Sequence, residues 1–273
     1  MKELTTRAIS GTVYVLLLVG SLYHQVSISI LLAVFGVISL VEFSNLIKLK
    51  SIIQYLIFAI LYGGFLYLCV VDNPFKGSSE AVQIFLTLTI FVNLILIKDL
   101  FTEKKIPLTK SKRFIATTFY LTSGFLFLLL ITNYNNRFSP LLLLGSFILV
   151  WINDSAAYVV GKNFGKQKLF PSISPKKTVE GFLGGLFFAC VSSYFIATFT
   201  DTLSFTSWLI LAIIVSVLGT IGDLIESKFK RQAGLKDSGV IMPGHGGLLD
   251  RLDSIIFAAP FVYLFLRIVS YVS

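Results

Sequence analysis

Charge is scarce in this chain. Asp, Glu, Lys and Arg make up 14% of its 273 residues, whereas 55% are hydrophobic and 26 are Phe. An ordinary soluble domain carries about 25% charged residues, so a normally solvated surface is excluded. Cysteine is equally sparse. Cys69 and Cys190 stand singly in apolar runs, with no C-x-x-C or nearby His, which excludes a disulfide framework or thiolate metal site and leaves two small packed hydrophobes. No internal repeat, low-complexity tract or soluble domain is visible. No A-x-A cleavage site follows the first apolar run, in GSLYHQ, so Lys2, Arg7 and that run read as a retained helix and not as a signal peptide. His24, just after it, reads as a turn residue.

Long apolar runs are abundant. About 20 such residues cross a bilayer core of about 30 Å, and nine runs qualify: Ala8 to Tyr23, Val26 to Ile47, Ile52 to Val71, Val82 to Leu100, Phe114 to Thr132, Pro140 to Val160, Val179 to Phe199, Ser207 to Glu226 and Ile255 to Val272. The expected fold is an all-α polytopic membrane protein of about nine transmembrane helices. Gly63-Gly64 in the third run predicts close helix packing.

Basic residues set the expected orientation, because short cytoplasmic loops concentrate Lys and Arg. With nine spans, 20 of the 23 basic residues share the side of the N-terminus, and only Lys76, Arg137 and Arg267 fall opposite. The N-terminus is therefore expected in the cytoplasm and the C-terminus outside. The net charge of +9 then belongs to one membrane face, not to a nucleic-acid arm. For Lys98 to Arg113, attraction to anionic lipid suffices as an explanation. The chain divides into mostly apolar helix over 1–110 and a polar-rich region over 111–273, expected to hold the chemistry.

A carboxylate inside a span is costly and usually marks function. Glu42, Asp154, Asp223 and Glu226 all lie toward the cytoplasmic ends of their runs. Asp154, Ala157, Tyr158 and Gly161 share one helical face, as do Asp223, Glu226, Ser227 and Lys230. For Glu42 a structural role, by interhelical hydrogen bonding or an ion pair that locks the bundle with Arg7 as a candidate partner, weighs as much as catalysis.

Two loops continue these stripes. In the first, Asn153 to Gly185, Ser174-Pro175-Lys176-Lys177-Thr178 leads into span seven, with Thr178 as N-cap; free amides and two lysines there suit a phosphate. Gly181, Gly184 and Gly185 predict close approach of that helix to a neighbour. The second loop, Ser227 to Ser254, holds Gly244, Gly246 and Gly247, expected to admit positive φ and bring amides to a ligand. Asp250 and Asp253, three apart at the start of the last helix, share a face and suit Mg²⁺, commonly held by one or two carboxylates plus substrate phosphates. Lys228, Lys230, Arg231 and Arg251 would balance a polyphosphate.

The run of Ser227, Lys230, Arg231, Asp237, Gly239, Gly244-His245-Gly246-Gly247, Asp250, Arg251 and Asp253 resembles the signature of the phosphatidate cytidylyltransferases, or CDP-diacylglycerol synthases. Asn153 to Lys166 and Ser174 to Gly181 are similar to further blocks of that family. The resemblance implies a multi-pass enzyme of the inner (plasma) membrane that converts CTP and phosphatidic acid into CDP-diacylglycerol and pyrophosphate. It also suggests Mg²⁺, a monovalent cation such as K⁺, and a homodimer. On this basis Asp223 and Asp250 are expected as first metal ligands, with Asp154 and Asp253 behind them. Lys176, Lys177, Lys230, Arg231 and Arg251 would neutralise phosphates. His245 would hydrogen-bond or protonate a phosphate oxygen, or merely order its loop. Asn153, Ser174, Thr178, Ser227 and the three glycines complete the expected substrate contacts. Two rivals stay open: a CTP-dependent lipid kinase of the dolichol or phytol kinase type, and a transporter, although the one-sided carboxylates and lack of corresponding halves disfavour the latter.

Overall fold

The computed structural model describes residues 2–70, 78–102, 105–134 and 137–272. Lys76, Lys104 and the side chain of Cys69 lie outside the described residues.

A helix forms at every apolar run: α1 Lys2–Ser21, α2 Gln25–Leu46, α3 Ile53–Val70, α4 Ser78–Leu100, α5 Lys110–Ile131, α6 Pro140–Phe164, α7 Val179–Thr200, α8 Phe205–Ala233 and α9 Asp253–Val272. Residues Thr117–Thr122 of α5 are wound as a π-helix. Among the described residues, seven of these helices are long and apolar enough to cross a membrane, namely α2 and α4 to α9. The all-α polytopic class therefore holds. The count of nine crossings does not follow, since α1 is not among the seven and α3 counts only as a shorter apolar helix, Ile53–Tyr67, over the described residues.

Helix ends obey local chemistry. His24 is the N-cap of α2, its ring accepting from the Val26 amide at 3.2 Å. Thr178 caps α7 through the Gly181 amide at 3.1 Å, as expected. Ser204 caps α8, and Gly234 closes it at φ +75°, a conformation that favours glycine. The helical stretch of α8 runs past Glu226 to Ala233, so Ser227, Lys228, Lys230 and Arg231 stand on a helix and not in a loop. At 29 residues it is about 43 Å long, more than the apolar core it crosses. Before α7 the chain adds a hairpin that the sequence reading missed: β1, Lys168–Phe170, pairs antiparallel with β2, Ser174–Thr178. Pro175 lies in a strand of this two-stranded sheet, where an edge position tolerates its missing donor.

Lipid tails are as apolar as Leu, so close packing and not exclusion of water holds such helices together. A Cβ at Gly222 would come 2.5 Å from the Phe257 Cβ and 2.9 Å from the Asp253 carbonyl, so bare backbone is needed where α8 crosses α9. One at Gly185 would lie 2.7 Å from the Asn153 carbonyl, which is the expected close approach of α7 to α6. Gly63 and Gly64 behave otherwise: a Cβ there meets nothing within 4 Å, and the close contact expected of them is absent among the described residues. At the centre Phe43 of α2 meets Tyr120 of α5 at 5.4 Å and Phe229 of α8 at 5.2 Å between ring centroids. All three are essentially fully buried. Their sequence neighbours Glu42 and Lys230 carry this rigid core into the polar region beside it.

Candidate active site

A cavity of about 800 Å³ opens between α6, the hairpin, the start of α7, the end of α8 and the start of α9. From α6 it takes Asn153, Asp154, Ala157, Tyr158 and Gly161, the face expected from their spacing. The hairpin contributes Lys176, Lys177 and Thr178, and α8 contributes Asp223 and Lys230. Asp250 and Arg251 close it from the last turn before α9, and Asp253 from the first residue of α9.

Charge is arranged in alternating pairs. Lys177 forms an ion pair with Asp223. Burial alone would lower the Lys177 ammonium, but Asp223, supported by Asp154 and Asp253, raises it above the ordinary lysine value. Lys230 lies between Glu226, four residues earlier on α8, and Asp250, 2.6 Å away. Asp154, Asp223 and Asp253 come from three helices and are close enough to repel one another. The Ser227 hydroxyl donates to Asp223 at 3.2 Å, one layer behind the cavity wall.

Asp250 is not on the last helix, as its spacing from Asp253 had implied, but in a separate 3-10 turn, Leu249–Arg251. Its Oδ1 accepts from Lys230, and its Oδ2 accepts from the Ser238 amide at 2.9 Å, the Ser238 hydroxyl at 3.1 Å and the Gly247 amide at 2.8 Å. Burial would raise this carboxyl; Lys230 and the two amides outweigh it and hold Asp250 below the usual carboxylate range.

Several expected contacts lie elsewhere. Gly244 and Gly246 do have positive φ, +75° and +91°, whereas Gly247 does not. Gly247 is small for another reason: its Cβ would fall 2.1 Å from the Ser238 Oγ, and its amide is turned to Asp250. None of the three lines the cavity. His245 is also outside it, with Nδ1 2.7 Å from the Ser10 hydroxyl, which donates to the Pro243 carbonyl at 3.0 Å. Burial, with the charges of Arg251 and Arg7, lowers its imidazole below the ordinary value, so the neutral ring anchors the loop to α1. Ser174 begins β2, away from the wall. Arg231 turns away from the main cavity, bonds the Ile173 and Leu235 carbonyls at 3.3 and 2.9 Å, and lines a smaller cavity of about 340 Å³ with Lys105 and Lys228. A run of basic residues on one helix must diverge by about 100° per residue, and the linear motif conceals this.

Glu42 makes structural hydrogen bonds, one of the readings open to it. Its carboxylate accepts from the Leu248 amide at 3.1 Å, the Leu249 amide at 2.8 Å and the Ser238 hydroxyl at 3.3 Å, so it holds the loop and is not chiefly the Arg7 partner of an ion pair. The cavity further includes Lys162, Lys168, Asp237 and Thr220. Lys162 had a signal in the Asn153 to Lys166 block and Asp237 in the signature, but Lys168 and Thr220 had none.

Carboxylates and ammonium groups alternating at the mouth of an apolar helix bundle define a membrane-embedded site suited to phosphorylated ligands. The chain belongs to the cytidylyltransferase family, whose model matches residues 5–269. It is similar to a phosphatidate cytidylyltransferase of Staphylococcus aureus (strain COL), 45% identical over 150 residues that cover 54% of this chain and 55% of that protein. The phosphatidate cytidylyltransferase of Staphylococcus haemolyticus (strain JCSC1435) is 48% identical over 126 residues, covering 45% and 48%. The match thus spans about half the length of these relatives. Nothing in these likenesses favours a lipid kinase or a transporter.

Proposed function

We propose that this chain transfers a cytidylyl group from CTP to phosphatidic acid, giving CDP-diacylglycerol and pyrophosphate. The observation that carries this reading is the cavity wall, where Lys177, Lys230 and Arg251 face Asp154, Asp223 and Asp253 at the ends of membrane helices. Both substrates are phosphate esters, one dissolved and one held in lipid, and such a mouth admits each from its own phase. An oxygen of the lipid phosphate attacks the α-phosphorus of CTP, the bond to the β-phosphate oxygen breaks, and pyrophosphate departs with that electron pair. Such a transfer depends on in-line placement and charge neutralisation more than on covalent help. Lys176, Lys177, Lys230 and Arg251 supply positive charge, while Asn153 and Thr178 border the bound phosphates.

The residues fit Mg²⁺ in charge and donor type. Three mutually repelling carboxylates, Asp154, Asp223 and Asp253, would hold it, and Asp250, with both oxygens engaged by the protein, serves them from behind. Among the described residues no three such groups already converge as a metal site, and Lys177 would have to yield Asp223. When bound, the ion would withdraw charge from the phosphates. The reading also includes a monovalent cation such as K⁺, a homodimer, and a cavity open to the cytoplasm, with the N-terminus there and the C-terminus outside, because nine crossings would put 20 of 23 basic residues on that side. Helices of the 111–273 region carry the chemistry and 1–110 supports them.

The test uses detergent-purified protein, Mg²⁺, phosphatidic acid and CTP labelled at the α-phosphate, with Asp223→Asn in parallel. Label in the organic phase, lost in the variant, is the expected result. Label transferred only from the γ-phosphate, or solute movement without nucleotide chemistry, would overturn the reading.

A further inference from the structure

Two carboxylates from opposite halves of the chain hold one loop. Ser238 is the shared point: its hydroxyl lies 3.3 Å from Glu42 Oε2 and 3.1 Å from Asp250 Oδ2, and its amide donates to Asp250. Glu42 also takes the amides of Leu248 and Leu249, the residues that lead into Asp250, while Asp250 takes the Gly247 amide. Glu42 is only 3% exposed, so each of these contacts is shielded from water and correspondingly strong.

Two glycines record the same arrangement. A Cβ at Gly239 would sit 2.3 Å from Glu42 Oε1, and one at Gly247 would sit 2.7 Å from Glu42 Oε2. Both are small because Glu42 occupies the space a side chain would need. Neither has positive φ, so turn geometry does not account for them. The backbone of Glu42 is fixed in turn by Phe43, packed against Phe229 beside Lys230. A line of direct contacts thus runs from α2 through Ser238 to Asp250 and then to Lys230 in the cavity wall.

We propose that Glu42 is a positioning residue for the transferase site: it touches no substrate, and through Ser238 and the amides of Leu248 and Leu249 it sets where Asp250 holds Lys230. The inference rests on the reading above for the chemistry, while the clamp itself is independent of it. Glu42→Gln keeps the size but brings an NH₂ group toward donors, so the loop must let go on at least one side.

The experiment compares wild type, Glu42→Gln, Ser238→Ala and the double variant in two assays. The first is cytidylyl transfer with kcat and KM resolved; the second is amide hydrogen exchange across residues 236–250. We expect Glu42→Gln to lower kcat on the order of 10- to 100-fold, with KM for CTP within about 3-fold. Exchange at Leu248 and Leu249 should quicken in the same variant. Because both changes act on one clamp, the double variant should lose much less than the product of the single losses. Gly239→Ala, which pushes on Glu42 without removing it, gives a second route should Glu42→Gln not fold.

Losses that multiply, or a Glu42→Gln enzyme with unchanged kcat and exchange, would overturn the proposal. If wild type moves no label into lipid yet Glu42→Gln loosens residues 236–250, the functional reading falls and the clamp stands.

Discussion

The last two turns of α8 carry basic residues that face two different environments. Lys230 is buried between Glu226 and Asp250, whereas Lys228 and Arg231 satisfy backbone carbonyls: Lys228 those of Asp99 and Thr102, Arg231 those of Ile173 and Leu235. A cation between carboxylates balances charge and stays available to a phosphate. A cation on carbonyls is a staple, joining α8 to the loop after α4 and to the hairpin. The comparison teaches that a cluster of Lys and Arg in one motif need not share one task, since helical rotation distributes them.

The comparison can be broken at its strongest point by Lys230→Met. Removing this cation strands Glu226 and Asp250 as buried charges, and loss of one partner from such a group costs about 3–5 kcal/mol. We expect no transfer activity and a clearly lowered unfolding temperature in detergent; a stable, active variant would show that the pair of carboxylates does not depend on it. Arg231→Gln is the smaller lesion. It should cost about 1–3 kcal/mol of stability through two lost carbonyl bonds, while activity per folded molecule, with both substrates saturating, changes less than about 3-fold. A collapse of kcat with unchanged stability would return Arg231 to the chemistry.

Acidification gives the smallest effect. Asp250 is held below the usual carboxylate range, so its contribution to stability is fully present above the unfolded value, about 3.9, and is lost only as pH falls through the folded one. Between pH 7 and about pH 5 the exchange protection of Gly247 and Ser238 should therefore hold. Loss of protection in that window would mean that Lys230 does not stabilise the ionised form of Asp250.

Much of this was legible in the residues. Apolar runs located every helix, because the bilayer imposes a length that composition reveals. The face of Asp154, Ala157, Tyr158 and Gly161 followed from helical period alone, and so did Thr178 as a cap. What escaped was contact between distant parts. Glu42 was visible as a buried acid, but its partners are main-chain amides some 200 positions away, and an amide leaves no mark in a sequence. Arg231 was misplaced because α8 continues through charged residues that hydropathy assigns to water. Gly247 was expected to admit positive φ and bring its amide to a ligand, whereas its smallness answers to Glu42 and Ser238.

The length of α8 ties the site to its surroundings in a further way. A single rigid rod has one end packed in hydrocarbon and carries Lys230 near the other, so the height of that ammonium above the lipid is fixed by the membrane and not by a loop. A bilayer of different thickness would tilt the rod or be deformed by it, and the mouth of the cavity would move with it.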